Sequence, residues 1–134
     1  MSTGYLCKNR SKFYLKIHLI LVCKYRKKLL TQEIDRDLKN IIDDISNMSD
    51  FKIDIMETDL DHMHLLLDIT PNYSISSIVN RLKSISTNRI WRLHFAILKN
   101  HFWKENTFWS DGYFTCSVGD ASPETIRRYI ESQG

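Results

Sequence analysis

His62 and His64 flank a single methionine in the run Asp61-His62-Met63-His64-Leu65-Leu66-Leu67. Alternate residues of a strand share a face, so the two imidazoles point one way with Leu66 and Asp68, while Met63, Leu65 and Leu67 point into a core. Two neighbouring imidazoles on one sheet face are a ready pair of metal ligands. They are equally the polar side of an ordinary half-buried strand. Far downstream, Tyr129 and Gln133 stand four apart on one face of an expected helix. A tyrosine near a helix end usually packs with its hydroxyl in water. Beside a metal site its meaning changes. A phenol with a pKa of about 10 is a poor nucleophile at neutral pH. It becomes competent where a metal ion withdraws charge from the phosphate under attack.

The elements that must position these groups follow from periodicity. Leu15 to Tyr25 reads as a mostly buried strand, ended by the cationic cluster Lys24-Tyr25-Arg26-Lys27-Lys28. Thr31 offers an N-cap, and Ile34, Leu38, Ile41, Ile42 and Ile45 follow at helical spacing to about Met48. Phe51, Ile53 and Ile55 alternate with Lys52, Asp54 and Met56, and a turn near Asp59 joins this strand to the His62 strand. Pro71 and Asn72 break the hairpin. Ser74 caps a second helix with the stripe Ile75, Ile78, Val79, Leu82 and Ile85, running to about Phe95. A fourth strand spans Tyr113 to Val118, and Ser122 with Pro123 opens a last helix, Glu124 to Gln133.

This order predicts an α+β, ferredoxin-like sandwich: a four-stranded antiparallel sheet, two helices on one face and an extra C-terminal helix. The face carrying His62 and His64 is expected to stay open. His18 has the parity to share it and reads as a histidine satisfied in the core or at the surface.

At 134 residues, 43% hydrophobic and 26% charged, the chain is expected to form one domain spanning 1–134 with a core that needs no disulfide. A net charge of +3 leans mildly toward anionic partners. Cys7, Cys23 and Cys116 form no CxxC pair, which fits a reducing cytoplasm. The apolar run Ile17 to Cys23 contains His18 and is too short to span a bilayer, so a soluble protein without a membrane partner is expected. Four glycines and no Gly-rich loop argue against a nucleotide cofactor.

His62-Met63-His64 followed by Tyr129 resembles the HUH (His-hydrophobe-His) endonucleases with one catalytic tyrosine. The chain is most similar in pattern to the transposases of the IS two-hundred/six-hundred-five group of insertion sequences. The likeness is carried by His18-Leu19-Ile20 through Lys24-Tyr25-Arg26, by Asp61 to Leu67, by Phe108-Trp109-Ser110-Asp111-Gly112-Tyr113-Phe114 with Val118-Gly119, and by Tyr129-Ile130-Glu131-Ser132-Gln133. Initiators with the same histidine pair typically place lysine three after the tyrosine. Here that position is Ser132.

The resemblance implies a homodimer that cuts and rejoins single-stranded DNA at hairpin-bearing element ends. It implies Tyr129 as nucleophile, leaving a 5′-phosphotyrosine, and His62, His64 and Gln133 as ligands of Mg2+ or Mn2+. It also implies a tyrosine helix able to dock on the partner subunit. Two imidazoles favour manganese at least as well as magnesium.

Phosphate contacts are expected from Lys24, Arg26, Lys27 and Lys28 after the first strand, and from Arg81, Lys83, Arg89 and Arg92 on the second helix. Charge runs of this kind are otherwise solvated faces. Tyr25, Trp91, Phe95, Trp103 and Trp109 offer stacking platforms, with core packing the commoner use. Three rivals share parts of the pattern. A related nuclease that nicks without transposing would share every site residue. A non-catalytic RNA- or DNA-binding sheet would have no need of the histidines and the tyrosine. A zinc domain built on His62, His64 and Cys116 would lack a second paired ligand.

Overall fold

The computed structural model describes residues 15–71, 73–117 and 122–133. Cys7, Asn72 and the Val118-Gly119 pair lie outside the described residues. The elements are β1 (Leu15–Val22), α1 (Gln32–Asn47), β2 (Lys52–Asp59), β3 (His62–Ile69), α2 (Ile75–His101), β4 (Phe114–Ser117) and α3 (Pro123–Ser132). The sheet has the order β2-β3-β1-β4, with every neighbouring pair antiparallel. This is the ferredoxin-like arrangement expected from the element order. No helix among the described residues is long and apolar enough to cross a membrane.

The two central strands fix the faces. Val22 lies opposite His62, Ile20 opposite His64 and His18 opposite Leu66, so all six side chains share one face of the sheet. Leu19, Leu21, Met63, Leu65 and Leu67 face the other way, into a core with Ile34, Leu38, Ile41, Ile42 and Ile45 of α1 and Ile78, Val79 and Leu82 of α2. Ser74 Oγ caps α2 by accepting from Ser77 N at 3.2 Å, and Ser122 Oγ caps α3 by accepting from Thr125 N at 3.1 Å. Thr31 precedes α1 but makes no side-chain cap, and Gln32 after it is left-handed at φ 44°.

Three features depart from the sequence expectation. A β-bulge between Ile53 and Ile55 breaks the alternation of β2, so Met56 joins the core while Ile55 is left exposed. α2 runs past Phe95 to His101, because Leu98 and Phe102 continue its buried face beyond a non-helical turn at His94 (φ −129°, ψ 36°). The second sheet face is also not open: α3 packs on it through Ile130, with Ile126 and Tyr129, against Ile20, Val22 and Phe114.

The turn at His94 is pinned to α1, where His94 Nε2 lies 2.7 Å from Asp37 Oδ2. That hydrogen bond holds the Asp37 carboxyl below its ordinary value of 3.8. The stability it contributes is complete above that pH and is lost as acid carries the group through its lower folded value. Asp37→Asn is therefore expected to destabilise the fold at pH 6 and to converge on wild type in acid below the folded value of the Asp37 carboxyl. Urea unfolding at pH 6 and in that acid checks this, and an equal gap at both would remove the pair from the account.

Candidate active site

The site starts with the chain reversal into β3. Asp61 precedes the first ligand candidate, and its Oδ1 lies 2.9 Å from His62 Nδ1. Its other oxygen accepts from Arg26 Nε at 3.1 Å. Burial works to raise the Asp61 carboxyl, but the hydrogen bonds from His62 and Arg26 outweigh it and hold the group low. A carboxylate on Nδ1 fixes the tautomer and leaves Nε2 of His62 free as a ligand, the usual outer-shell support of a metal-binding histidine. Arg26 reaches Asp61 from a single 3-10 turn, Lys24–Arg26, in which Tyr25 and Arg26 are both left-handed at φ 59° and 52°. Two consecutive non-glycine residues there carry strain of about 1 kcal/mol each.

His64 sits beside a third imidazole. His18 Nδ1 lies 2.7 Å from His64 Nε2, and the rings stack with centroids 4.9 Å apart. Burial first, then the neighbouring His18, keep His64 below its ordinary value, so it favours the neutral form a ligand must have. Glu57 lies 3.7 Å from its other nitrogen. The donor set suits a divalent ion at His62 and His64. Among the described residues, no group of three or more His, Cys, Asp or Glu side chains is preformed for one. Further ligands would come from elsewhere, in keeping with the amide expected of Gln133.

A cleft of about 640 Å³ opens in front of the histidines, between the β3 end of the sheet and α3. Its α3 wall is Pro123, Ile126, Arg127, Ile130 and Glu131. Tyr129 and Gln133 do not line it. The Tyr129 ring packs on Phe114 at 5.5 Å, and its hydroxyl would stand 3.5 Å from a Cβ placed on Gly112. That hydroxyl is buried with no hydrogen-bond partner among the described residues, and burial pushes its pKa up. Gln133 caps the end of α3, its amide donating to Ser132 Oγ at 3.1 Å. The structure thus brings His62 and His64 together and sets Tyr129 and Gln133 aside from them in the same chain.

The basic residues divide by environment. Lys24 pairs with Asp111 at 3.0 Å, Arg26 with Asp61, and Arg89 with Asp44 at 3.0 Å, while Arg81 donates to Ser49 Oγ at 2.8 Å. Lys27 lies over the Phe102 ring. Lys28 and Arg127 line the histidine cleft, and neither makes an ion pair among the described residues. Sequence reasoning missed Arg127, and it assigned no role to Asp61. The signal available for Asp61 was a carboxylate directly before the first histidine at a strand start. Of the expected stacking platforms, Trp91 and Trp109 are buried, whereas Tyr25, Phe95 and Trp103 are exposed.

Lys83, expected from the sequence as a phosphate contact, is held within the fold. Its ammonium donates to the carbonyls of Ser110 at 2.7 Å, Asp111 at 3.1 Å and Gly112 at 2.8 Å, and burial pulls its pKa down. With Trp109 Nε1 donating to Ser86 Oγ and Trp91 Nε1 to Thr107 O, α2 holds the whole 107–112 segment against which Tyr129 rests. Lys83→Met leaves three carbonyls without this donor and is expected to cost about 2 kcal/mol of stability in urea unfolding. A titration with single-stranded DNA is expected to give the wild-type salt slope, and a slope smaller by about 0.7 would restore the phosphate role.

With the fold and the site in view, the chain belongs to the family described as Transposase IS200 like, whose model matches residues 11–133. It is thus a DNA-processing enzyme of the transposase class. The chain is 36% identical over 121 residues to the ISDra2 transposase TnpA of Deinococcus radiodurans, covering 90% of this chain and 85% of that protein. It is 29% identical to the transposase for insertion sequence element IS200 of Salmonella typhimurium, covering 92% and 79%.

Among solved structures, a protein from Deinococcus radiodurans R1 assigned as a transposase superposes with a TM-score of 0.83 at 32% identity, over 92% of this chain and 93% of that one. A REP-associated tyrosine transposase bound to a REP hairpin shares the fold with a TM-score of 0.55 at 15% identity, over 91% and 67%.

Proposed function

We propose that this transposase cleaves and rejoins single-stranded DNA at the ends of an insertion sequence, with Tyr129 as nucleophile. The observation that supports this best is the His62–His64 pair, with His62 oriented by Asp61, facing a cleft that Lys28 and Arg127 line and the tyrosine helix walls. In the first step Tyr129 Oη loses its proton and attacks phosphorus, forming a phosphotyrosine bond to the 5′ end of the downstream fragment. The P–O3′ bond breaks, and the departing oxygen takes up a proton as a free 3′-hydroxyl. Joining is the reverse: a 3′-hydroxyl attacks the phosphotyrosine and the phenol leaves. Phosphodiester bonds are conserved, so no nucleotide cofactor is needed.

His62 and His64, joined by the Gln133 amide oxygen, would hold Mg2+ or Mn2+, which when bound draws charge from the scissile phosphate. Lys28 and Arg127 neutralise the incoming strand. The phenol must leave its seat on Phe114 and Gly112 before it can act. We assign this to a homodimer in which α3 of one copy serves the cleft of the other. The substrate is a single strand with hairpin ends, in keeping with the REP hairpin bound by the structural relative. Incubating the full chain with such DNA and Mn2+ should yield a covalent protein–DNA band on a denaturing gel. Its absence across a range of single-stranded substrates would overturn the assignment.

A further inference from the structure

A second groove, of about 790 Å³, lies along α2 beside the 106–111 segment and shares no lining residue with the histidine cleft. Its floor is chemically unusual for a helix surface. Asn80, Ser84, Thr87 and Asn88 recur at helical spacing, so amides and hydroxyls fill the stretch of this face between Lys83 and Arg92. Among the described residues none of the four side chains makes a hydrogen bond. Phe95 extends the same face and is 56% exposed, and Asn106 closes the opposite wall. From Asn80 to Phe95 the helix rises about 22 Å, at 1.5 Å per residue.

Ser110 supplies an independent sign of a ligand. Its N–H donates to Val22 O and its carbonyl accepts from Lys83, so the residue is fixed on both sides. Ser110 lines the groove, and its hydroxyl is buried with no hydrogen-bond partner among the described residues. Buried hydroxyls are rarely left so, and a rotation about its one side-chain torsion would bring this one to a polar edge in the groove.

We infer that this groove binds unpaired bases of single-stranded DNA, a second contact separate from the cleavage site; the inference rests on the DNA substrate proposed above. Each asparagine offers a donor and an acceptor side by side, the pattern that matches a base edge and suits adenine best. Phe95 offers a face on which a base can stack. Charge argues for bases over backbone. Lys83 is committed to three carbonyls and Asp111 is paired with Lys24, so Arg92 is left as the cation of the groove without an ion pair among the described residues.

The test uses the full chain and a fluorescein-labelled single-stranded oligonucleotide carrying 5-iodouracil. The double variant Asn88→Ala with Phe95→Leu alters two exposed side chains. It is expected to bind about tenfold more weakly with the salt slope unchanged, whereas Arg92→Ala should lower the slope by about 0.7. Ultraviolet crosslinking of wild type, which does not depend on how a variant folds, should map to residues 80–95 or 106–110. Wild-type affinity in the double variant, crosslinks confined to other segments, or loss of a wild-type dimer on sedimentation of the double variant would each overturn the inference. The last would make the groove a seat for a second copy of the chain. Wild type that crosslinks in the groove but forms no covalent adduct would instead sink the cleavage chemistry and leave the groove standing.

Discussion

Tyr129→Phe is expected to abolish the covalent protein–DNA adduct while making the protein more stable. The two effects have separate causes. Without the phenolic oxygen no phosphotyrosine bond can form, so adduct should fall by at least roughly three orders of magnitude, as when other enzymes lose their nucleophile. The same oxygen is buried against Phe114 and Gly112 without a hydrogen-bond partner among the described residues, a state that costs about 1 kcal/mol or more. Removing it should therefore raise the melting temperature by about 3 °C. A denaturing gel and a thermal melt on one preparation check both halves. Misfolding cannot mimic lost chemistry in a stabilised protein. Adduct from the variant would point to another nucleophile, and Tyr113, just before β4, is the next phenol to test. Gln133→Ala should behave differently, with slower cleavage and some residual adduct, because a third ligand tunes the ion without forming the bond.

Replacing either histidine should be nearly as damaging by another route. His62→Ala or His64→Ala is expected to abolish strand cleavage, while DNA binding and the fold persist. Both side chains sit on the half-buried second face, away from the core of Leu19, Met63 and Leu65. Asp61→Asn, which keeps the shape but weakens the hold on His62, should cost 10- to 100-fold. Calorimetric Mn2+ binding should fall in the same order. Cleavage by either alanine variant within a few-fold of wild type would remove the metal site from the mechanism.

Much of this architecture was legible because it rests on local rules. The parity of His62 and His64 followed from period two, the five buried isoleucine and leucine positions of α1 from period 3.6, and the Ser74 and Ser122 caps from residue type. What escaped was decided by distant partners. Nothing in Ile53-Asp54-Ile55 announces a bulge, which arises in pairing with Leu66 and Leu67. Lys83 looks like any surface lysine until the 110–112 carbonyls fold over it. His18 carried the right parity, yet its approach to His64 depends on which strand lies next to β1. The tyrosine helix could be drawn from its sequence. That it would settle on the histidine face with Tyr129 turned aside could not, because Ile126 and Ile130 find their apolar partners in Ile20 and Val22, far away in the chain.

The left-handed pair Tyr25-Arg26 sets a limit on how this enzyme can be improved. Glycine at position 25 would relieve about 1 kcal/mol of strain, and a screen for heat tolerance would favour it. The same freedom would let Arg26 swing away from Asp61 and loosen the carboxylate that orients His62. Selection for a sturdier fold and selection for a faster one therefore pull residue 25 in opposite directions, and variants that gain on one scale there should lose on the other.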